Sequence, residues 1–266
     1  PIYGARIHIA GETLVIRRDA PVAFVCDRSD MDIELACRAE AEGAKVNYGE
    51  RINGSFHADN IIGADGPLSF VARHFRFPPL KRLAATLQAE LGRRSDDPGL
   101  IDMYLSNQRF PGFFGWVIPH DGDTAEFGVG VELPYRPAAA WSHLMRLEGI
   151  HAAAVPAPRG FVIPLEPRRL TAMRKGRRNV LLAGDAAGQV KATTGGGVIF
   201  GGSCAALAGR LAADPFRYEL EWRSRFGADL AMHGAIHGFI ASLSDSQLSA
   251  LGRKLKKLNF DDYLSD

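Results

Sequence analysis

The chain has 266 residues, 46% of them hydrophobic and 23% charged, which is ordinary for a soluble globular protein with a sizeable core. Thirty-two Lys and Arg against 30 Asp and Glu leave a formal net charge of +2, so no basic excess points to a nucleic-acid backbone. Cys26, Cys37 and Cys204 have neither metal-ligand nor redox-motif spacing, which excludes a zinc site and points to a reducing compartment.

From Ile7 to Val25 the sequence reads as short strands around a turn at Ala10-Gly11-Glu12, with apolar runs at Leu14-Val15-Ile16 and Val22-Ala23-Phe24-Val25. Asp30 is read as the cap of a helix that ends at Gly43. Strands are expected at Ala44–Tyr48 and, buried, at Asn60–Ala64; strand, helix, strand in this order belongs to a parallel α/β layer. Between about Leu83 and Val131 apolar and polar residues alternate, with turns at Asp97-Pro98-Gly99, Phe110-Pro111-Gly112 and Asp121-Gly122-Asp123, the pattern of an antiparallel sheet. A helix over Ala138–Leu147, a strand over Gly160–Pro164 and a buried strand over Asn179–Ala183 follow, and the chain is helical from Gly197 on. The most apolar helical stretch, residues 195–213, carries Arg210 and is too broken to span a bilayer. The opening residues show no charged segment followed by an apolar run, so no signal peptide is expected. Together these point to a cytoplasmic protein that does not cross a membrane.

Glycine is abundant at 29, and the glycines cluster, which suits backbone that approaches a ligand. In Ile61-Ile62-Gly63-Ala64-Asp65-Gly66-Pro67 a buried strand ends in two glycines flanking an acid, a tight turn with a carboxylate placed to accept from hydroxyls. In Val180-Leu181-Leu182-Ala183-Gly184-Asp185-Ala186-Ala187-Gly188 a second strand delivers Asp185, and Thr193-Thr194-Gly195-Gly196-Gly197 then opens a small-residue helix. Such a helix start offers free N–H groups and the positive end of the dipole to a developing negative charge. Phe114 and Trp116 stand two apart on one strand and so present both rings to one face, a wall suited to a chain held by shape and burial. His233 and His237 lie one helical turn apart with no acid to complete a metal set, and are read as helix-face residues. The run Arg253-Lys254-Leu255-Lys256-Lys257-Leu258 is a basic amphipathic helix end, either a solvated face or a contact with an anionic membrane.

The GADGP and GDAAG…TTGGG segments resemble the two flavin-contacting motifs of glutathione-reductase-type flavoproteins, in the aromatic-hydroxylase and geranylgeranyl reductase branch. The resemblance implies that Asp185 bonds the ribityl chain of FAD and that Asp65, with Gly63 and Gly66, lies near the nucleotide and pyrophosphate. It also implies that Arg28, four residues before Asp32, lies beside the flavin, and that Gly184, Gly188, Gly195, Gly196 and Gly197 shape its cradle. Phe114-Gly115-Trp116-Val117-Ile118-Pro119, followed by Gly128-Val129-Gly130, resembles the substrate motif of geranylgeranyl reductases, with Ile118 where that family usually has Phe. Phe114, Trp116, Pro119, Gly128 and Gly130 are thus the expected substrate-binding residues, and the C-terminal helices resemble that family's tail.

The implied fold is α/β, an FAD/NAD(P)-binding type with an inserted antiparallel substrate sheet and C-terminal helices. The division is residues 1–74 and 167–213 for the FAD-binding domain, 75–166 for the substrate sheet and 214–266 for the helical region. No strand–GxGxxG–helix segment for the FAD pyrophosphate occurs within these residues, which leaves open a fragment, a split gene or a degenerate relative. The implied activity is FAD-dependent reduction of C=C bonds in a prenyl chain on a lipid or tetrapyrrole, with NAD(P)H or ferredoxin as electron donor and no assignable catalytic acid. Two alternatives accompany it: a flavin-dependent halogenase or hydroxylase, and a non-catalytic prenyl-lipid binder.

Overall fold

The computed structural model describes residues 1–92, 95–120, 122–151 and 155–257; Asp121 and Leu258 of the sequence-predicted turn and basic run lie outside them. Two sheets share the chain. The larger has seven strands: β1 (Gly4–Ile9), β2 (Glu12–Arg17), β4 (Leu83–Gly92), β5 (Leu100–Leu105), β6 (Gly115–Pro119), β7 (Thr124–Glu132) and β8 (Arg159–Pro164). Their order is β2-β1-β5-β6-β7-β4-β8. The smaller sheet has order β3-β10-β9, from β3 (Asn60–Gly63), β9 (Ala172–Lys175) and β10 (Arg178–Leu182).

Alternation decides which face of the large sheet is core. Ala125, Phe127, Val129 and Val131 of β7 point to one side, where helix α3 (Ala138–Leu147) covers them with Ala140, Trp141, Leu144 and Met145. The other face carries the residues two apart on the opposite phase, and a cavity lies there. The central strand of the small sheet, β10, is buried on both faces, which is why it reads as an unbroken apolar run, with Val180, Leu181 and Leu182 fully buried. On one side Val180 and Leu182 pack with Val71 and Phe75 of α2 (Phe70–Phe75). On the other, Leu181 meets Cys204 and Leu207 of α4 (Val198–Arg210) and Tyr218 and Trp222 of α5 (Pro215–Ser242). Helix α6 (Asp245–Lys257) seats Leu248 on Ile9 and Leu14.

Several expectations change. The large sheet is not wholly antiparallel, because β1 runs parallel to β5. Strands β1 and β2 join this sheet through that pairing. Residues 44–48 form no strand, and Ala23 makes only an isolated bridge with Ile2. Asp27, not Asp30, caps α1 (Arg28–Ala41): its side chain accepts from the Ser29 and Asp30 N–H groups. Two acids three residues apart look alike as caps, and only the backbone shows which one stands outside the helix. Helix α1 buries none of its residues, and β3 pairs only with β10 among the described residues.

Candidate functional site

Strands β3 and β10 run parallel, so both glycine-rich turns leave the small sheet at the same end. The first turn spends its acid locally. Asp65 is exposed and accepts from the Val71 N–H at 3.0 Å, while Ser69 accepts from Ala72 at 2.9 Å, so both stitch the start of α2. Gly63 packs under Leu182 and Val71, and Gly66 has open space around it.

The second turn is different. Residues Gly184–Ala186 form a 3₁₀ turn, and Asp185 is half-buried with no hydrogen-bond donor on its carboxylate among the described residues. Burial raises its pKa, and the Arg28 charge pulls the other way. Arg28 and Asp185 are 157 positions apart in the sequence, yet their charges interact, while Arg28 donates to Asp32 at 2.8 Å. Gly197, where an added side chain would crowd Asp185, directly precedes α4 and offers no side-chain cap, so that helix presents its free N–H groups beside the turn. Gly188 has φ +73°, and a side chain there would overlap the Glu166 carbonyl.

Three buried residues that sequence reasoning missed hold this turn. The Arg168 guanidinium donates from Nε to the Ala186 carbonyl at 2.6 Å and from NH1 to Pro78 at 2.6 Å, and it reaches Pro67 of the first turn at 3.5 Å. Burial holds its pKa below the ordinary arginine value. Gln189 accepts from the Gly184 N–H at 2.9 Å and donates to the Tyr218 hydroxyl at 3.1 Å, which donates in turn to the Leu182 carbonyl. The available signal is position: Gln189 directly follows the GDAAG turn, and a polar residue with no solvent exposure needs internal partners.

On the free face of the large sheet, Phe114 and Trp116 wall an apolar cavity of about 280 Å³, completed by Ile101, Met103, Phe113 and Ile118. The Phe113 and Phe114 rings stack with centroids 4.3 Å apart, and Phe114 and Trp116 lie 5.6 Å apart. Gly128 and Gly130 lie beneath these rings: a methyl group on Gly128 would overlap Trp116, and one on Gly130 would overlap Phe113. Pro119 falls elsewhere, in the lining of a separate cavity beside Tyr3 and Asp97. Thr194 and Gly195 also line the apolar cavity, so it opens directly onto the loop that leads into α4.

Helix α5 fixes the two loops at the cavity's edge. His233 bonds Thr193 at 2.8 Å, and His237 bonds the Gly112 carbonyl at 2.8 Å. Arg82, held bidentate by Glu132, donates to His237 Nδ1 at 3.1 Å, which makes His237 a neutral ring with its proton on Nε2. Burial holds the His237 pKa low, as does the Arg82 charge. Among the described residues no three His, Cys, Asp or Glu side chains form a metal-holding group, and no helix is long and apolar enough to cross a membrane.

No protein-family model matches the chain. It is 27% identical over 290 residues to digeranylgeranylglycerophospholipid reductase 2 of Methanothermobacter thermautotrophicus, covering 92% of this chain and 72% of that protein. It is 34% identical over 228 residues to the geranylgeranyl diphosphate reductase of Rhodobacter capsulatus, covering 77% of this chain but only 56% of that protein. Its fold superposes on the crystal structure of a geranylgeranyl bacteriochlorophyll reductase-like protein from Thermoplasma acidophilum with TM-score 0.75 at 18% identity, covering 95% of this chain and 74% of that one. The chain is thus similar in sequence to proteins named as geranylgeranyl-type reductases, and it shares its fold with the Thermoplasma protein.

Proposed function

We propose that the chain is an FAD-dependent reductase of C=C bonds in a prenyl chain carried on a lipid or tetrapyrrole. The observation that carries this reading is the meeting of two sites at one loop. Thr194 and Gly195 close the aromatic cavity, and Gly195-Gly196-Gly197 leads from there to the uncapped start of α4 beside Asp185.

The residues present fit a flavin. A half-buried carboxylate without a donor is costly unless a ligand supplies hydroxyls, and the ribityl chain of FAD does so at Asp185. Gly184, Gly195, Gly196 and Gly197 would flank it, with Arg28 alongside, while Gly188 packs against the Glu166 carbonyl. Asp65 and Gly66 would face the nucleotide end of FAD, with Gly63 packed beneath that turn. When bound and reduced, the flavin supplies the hydride. The chain's own residues orient the partners: Phe114 and Trp116 hold the isoprenoid, and Gly128 and Gly130 let those rings sit low against the sheet. Pro119 ends β6 behind them. The apolar lining of the cavity favours the isoprenoid over water.

Reducing equivalents enter from NAD(P)H or a ferredoxin. The exposed basic end of α6, with Lys254, Lys256 and Lys257, rests on the anionic surface in which a lipid substrate resides. Names of sequence relatives favour reduction over halogenation. The test of the cofactor assignment is the visible spectrum of the purified chain before and after addition of FAD and desalting. Retained flavin absorbance that falls on substitution of Asp185 supports the site, and a colourless chain that takes up no FAD contradicts it.

A further inference from the structure

Past the apolar cavity, the same face of the large sheet turns polar. Register places Glu126 opposite Ile118 on β6 and opposite Glu90 on β4, with Gln88 between Gly128 and Arg159. Residues two apart on neighbouring strands share a face, so Trp116, Glu126, Gln88 and Arg159 lie on the cavity side. A second cavity of about 340 Å³ opens there, lined by Gln88, Glu90, His120, Glu126 and Arg159. Glu126 lines both cavities and stands at the border between them.

The Glu126 carboxylate is held as an acceptor. Oε1 accepts from Trp116 Nε1 at 2.9 Å and Oε2 from Gln88 Nε2 at 3.2 Å. A carboxylate has about four acceptor positions, so two bonds leave others that a ligand can reach. Whatever stands at this border must therefore donate a hydrogen bond. A phosphate oxygen there would face a like charge, which an interface of this kind rejects strongly. Beyond Glu126 the lining is mixed: Arg159 is cationic, while Glu90 faces His120 at 3.6 Å.

We propose that an amphiphilic prenyl substrate lies across Glu126, its chain in the apolar cavity and its head group in the polar one, and that Glu126 selects head groups presenting a hydroxyl or ammonium donor over a bare diphosphate. This rests on the prenyl reading above and adds the class of substrate. An isoprenoid has no polar handle except its head, and among the described residues lining the aromatic cavity Glu126 is the one charged side chain, so head-group choice is made there.

The test compares equilibrium binding of geranylgeraniol and geranylgeranyl diphosphate to the wild-type chain and to Glu126→Gln, which keeps the shape and removes the charge. The wild type should bind the alcohol about tenfold or more tightly than the diphosphate, as expected for a site built around one donor. Glu126→Gln should narrow that ratio to within about threefold, chiefly by tightening the diphosphate. The wild-type ranking stands on its own if the variant folds poorly. Preference of the wild type for the diphosphate, or a ratio unchanged by Glu126→Gln, overturns the assignment of Glu126 alone. Failure of both probes to bind overturns the prenyl reading itself.

Discussion

Arg168 ties the second glycine-rich turn to the first: its Nε donates to the Ala186 carbonyl at 2.6 Å while NH2 reaches the Pro67 carbonyl at 3.5 Å. The side chain is only 5% exposed, so it acts as a fixed brace rather than a solvated cation. Arg168→Met keeps the length and removes the donors, leaving carbonyls of Ala186 and Pro78 unpaired in the interior. The variant should lose roughly 2–4 kcal/mol of stability, seen as a lower denaturant midpoint, and FAD affinity should fall with it because the two turns are no longer held together.

Asp185 makes a separable prediction. Its pKa is raised by burial, against the Arg28 charge, so its ionised form weighs against the folded state. A carboxyl whose folded pKa lies above its unfolded value contributes relative stability that is complete below the unfolded pKa and is lost as pH rises through the folded one. Flavin-free Asp185→Asn should therefore melt higher than the wild type at neutral pH, with the gap closing in acid below the ordinary carboxylate range. The same variant should bind FAD more weakly. Paired melting curves and FAD titrations check both signs.

His237 works in the opposite direction. Burial, joined by the Arg82 charge, lowers its pKa, although its bond to the Gly112 carbonyl opposes this. A histidine with a depressed folded pKa contributes stability that is present above the unfolded pKa and lost as pH falls through the folded one. The wild type should thus lose stability below the ordinary histidine range, and His237→Gln should lose less over the same interval while starting lower at neutral pH. Melting temperature against pH for the two proteins is the measurement.

The substrate wall depends on two glycines. Gly128→Ala forces the added methyl into Trp116, and Gly130→Ala forces it into Phe113. Overpacking of this kind costs about 1–3 kcal/mol, and it should shift tryptophan fluorescence in Gly128→Ala but much less in Gly130→Ala. Equal shifts in the two variants would mean that Trp116 does not rest on Gly128.

Much of the fold was legible because local signals agreed with tertiary ones. Helix α3 falls on Ala138–Leu147, as the sequence indicates, and β3 and β10 differ from expectation by one residue at their ends. Both are parallel strands whose apolar runs lead into a turn carrying Gly and Asp, so pattern and turn chemistry coincide. The parallel pairing of β1 with β5 could not be read, because Gly4 and Leu100 meet across nearly a hundred residues and neither carries a pairing signal. Residues 44–48 have strand propensity but gain no partner strand, and propensity without pairing does not make a strand. At the site, motif residues were visible while their supports were not. Arg168, Gln189 and Glu126 matter through what they reach in space, and Asp65 serves α2 as much as any ligand.

The most direct test of the central claim is a single anaerobic turnover. The FAD-loaded chain is reduced chemically, mixed without oxygen with a prenyl substrate bearing a hydroxylated head, and followed by visible absorbance and by product mass. The account predicts return of the oxidised-flavin band on mixing, matched by product that has gained two hydrogens per flavin reoxidised. A flavin that stays reduced until oxygen is admitted, with the prenyl chain unchanged, would contradict it and point to oxygen-dependent chemistry instead.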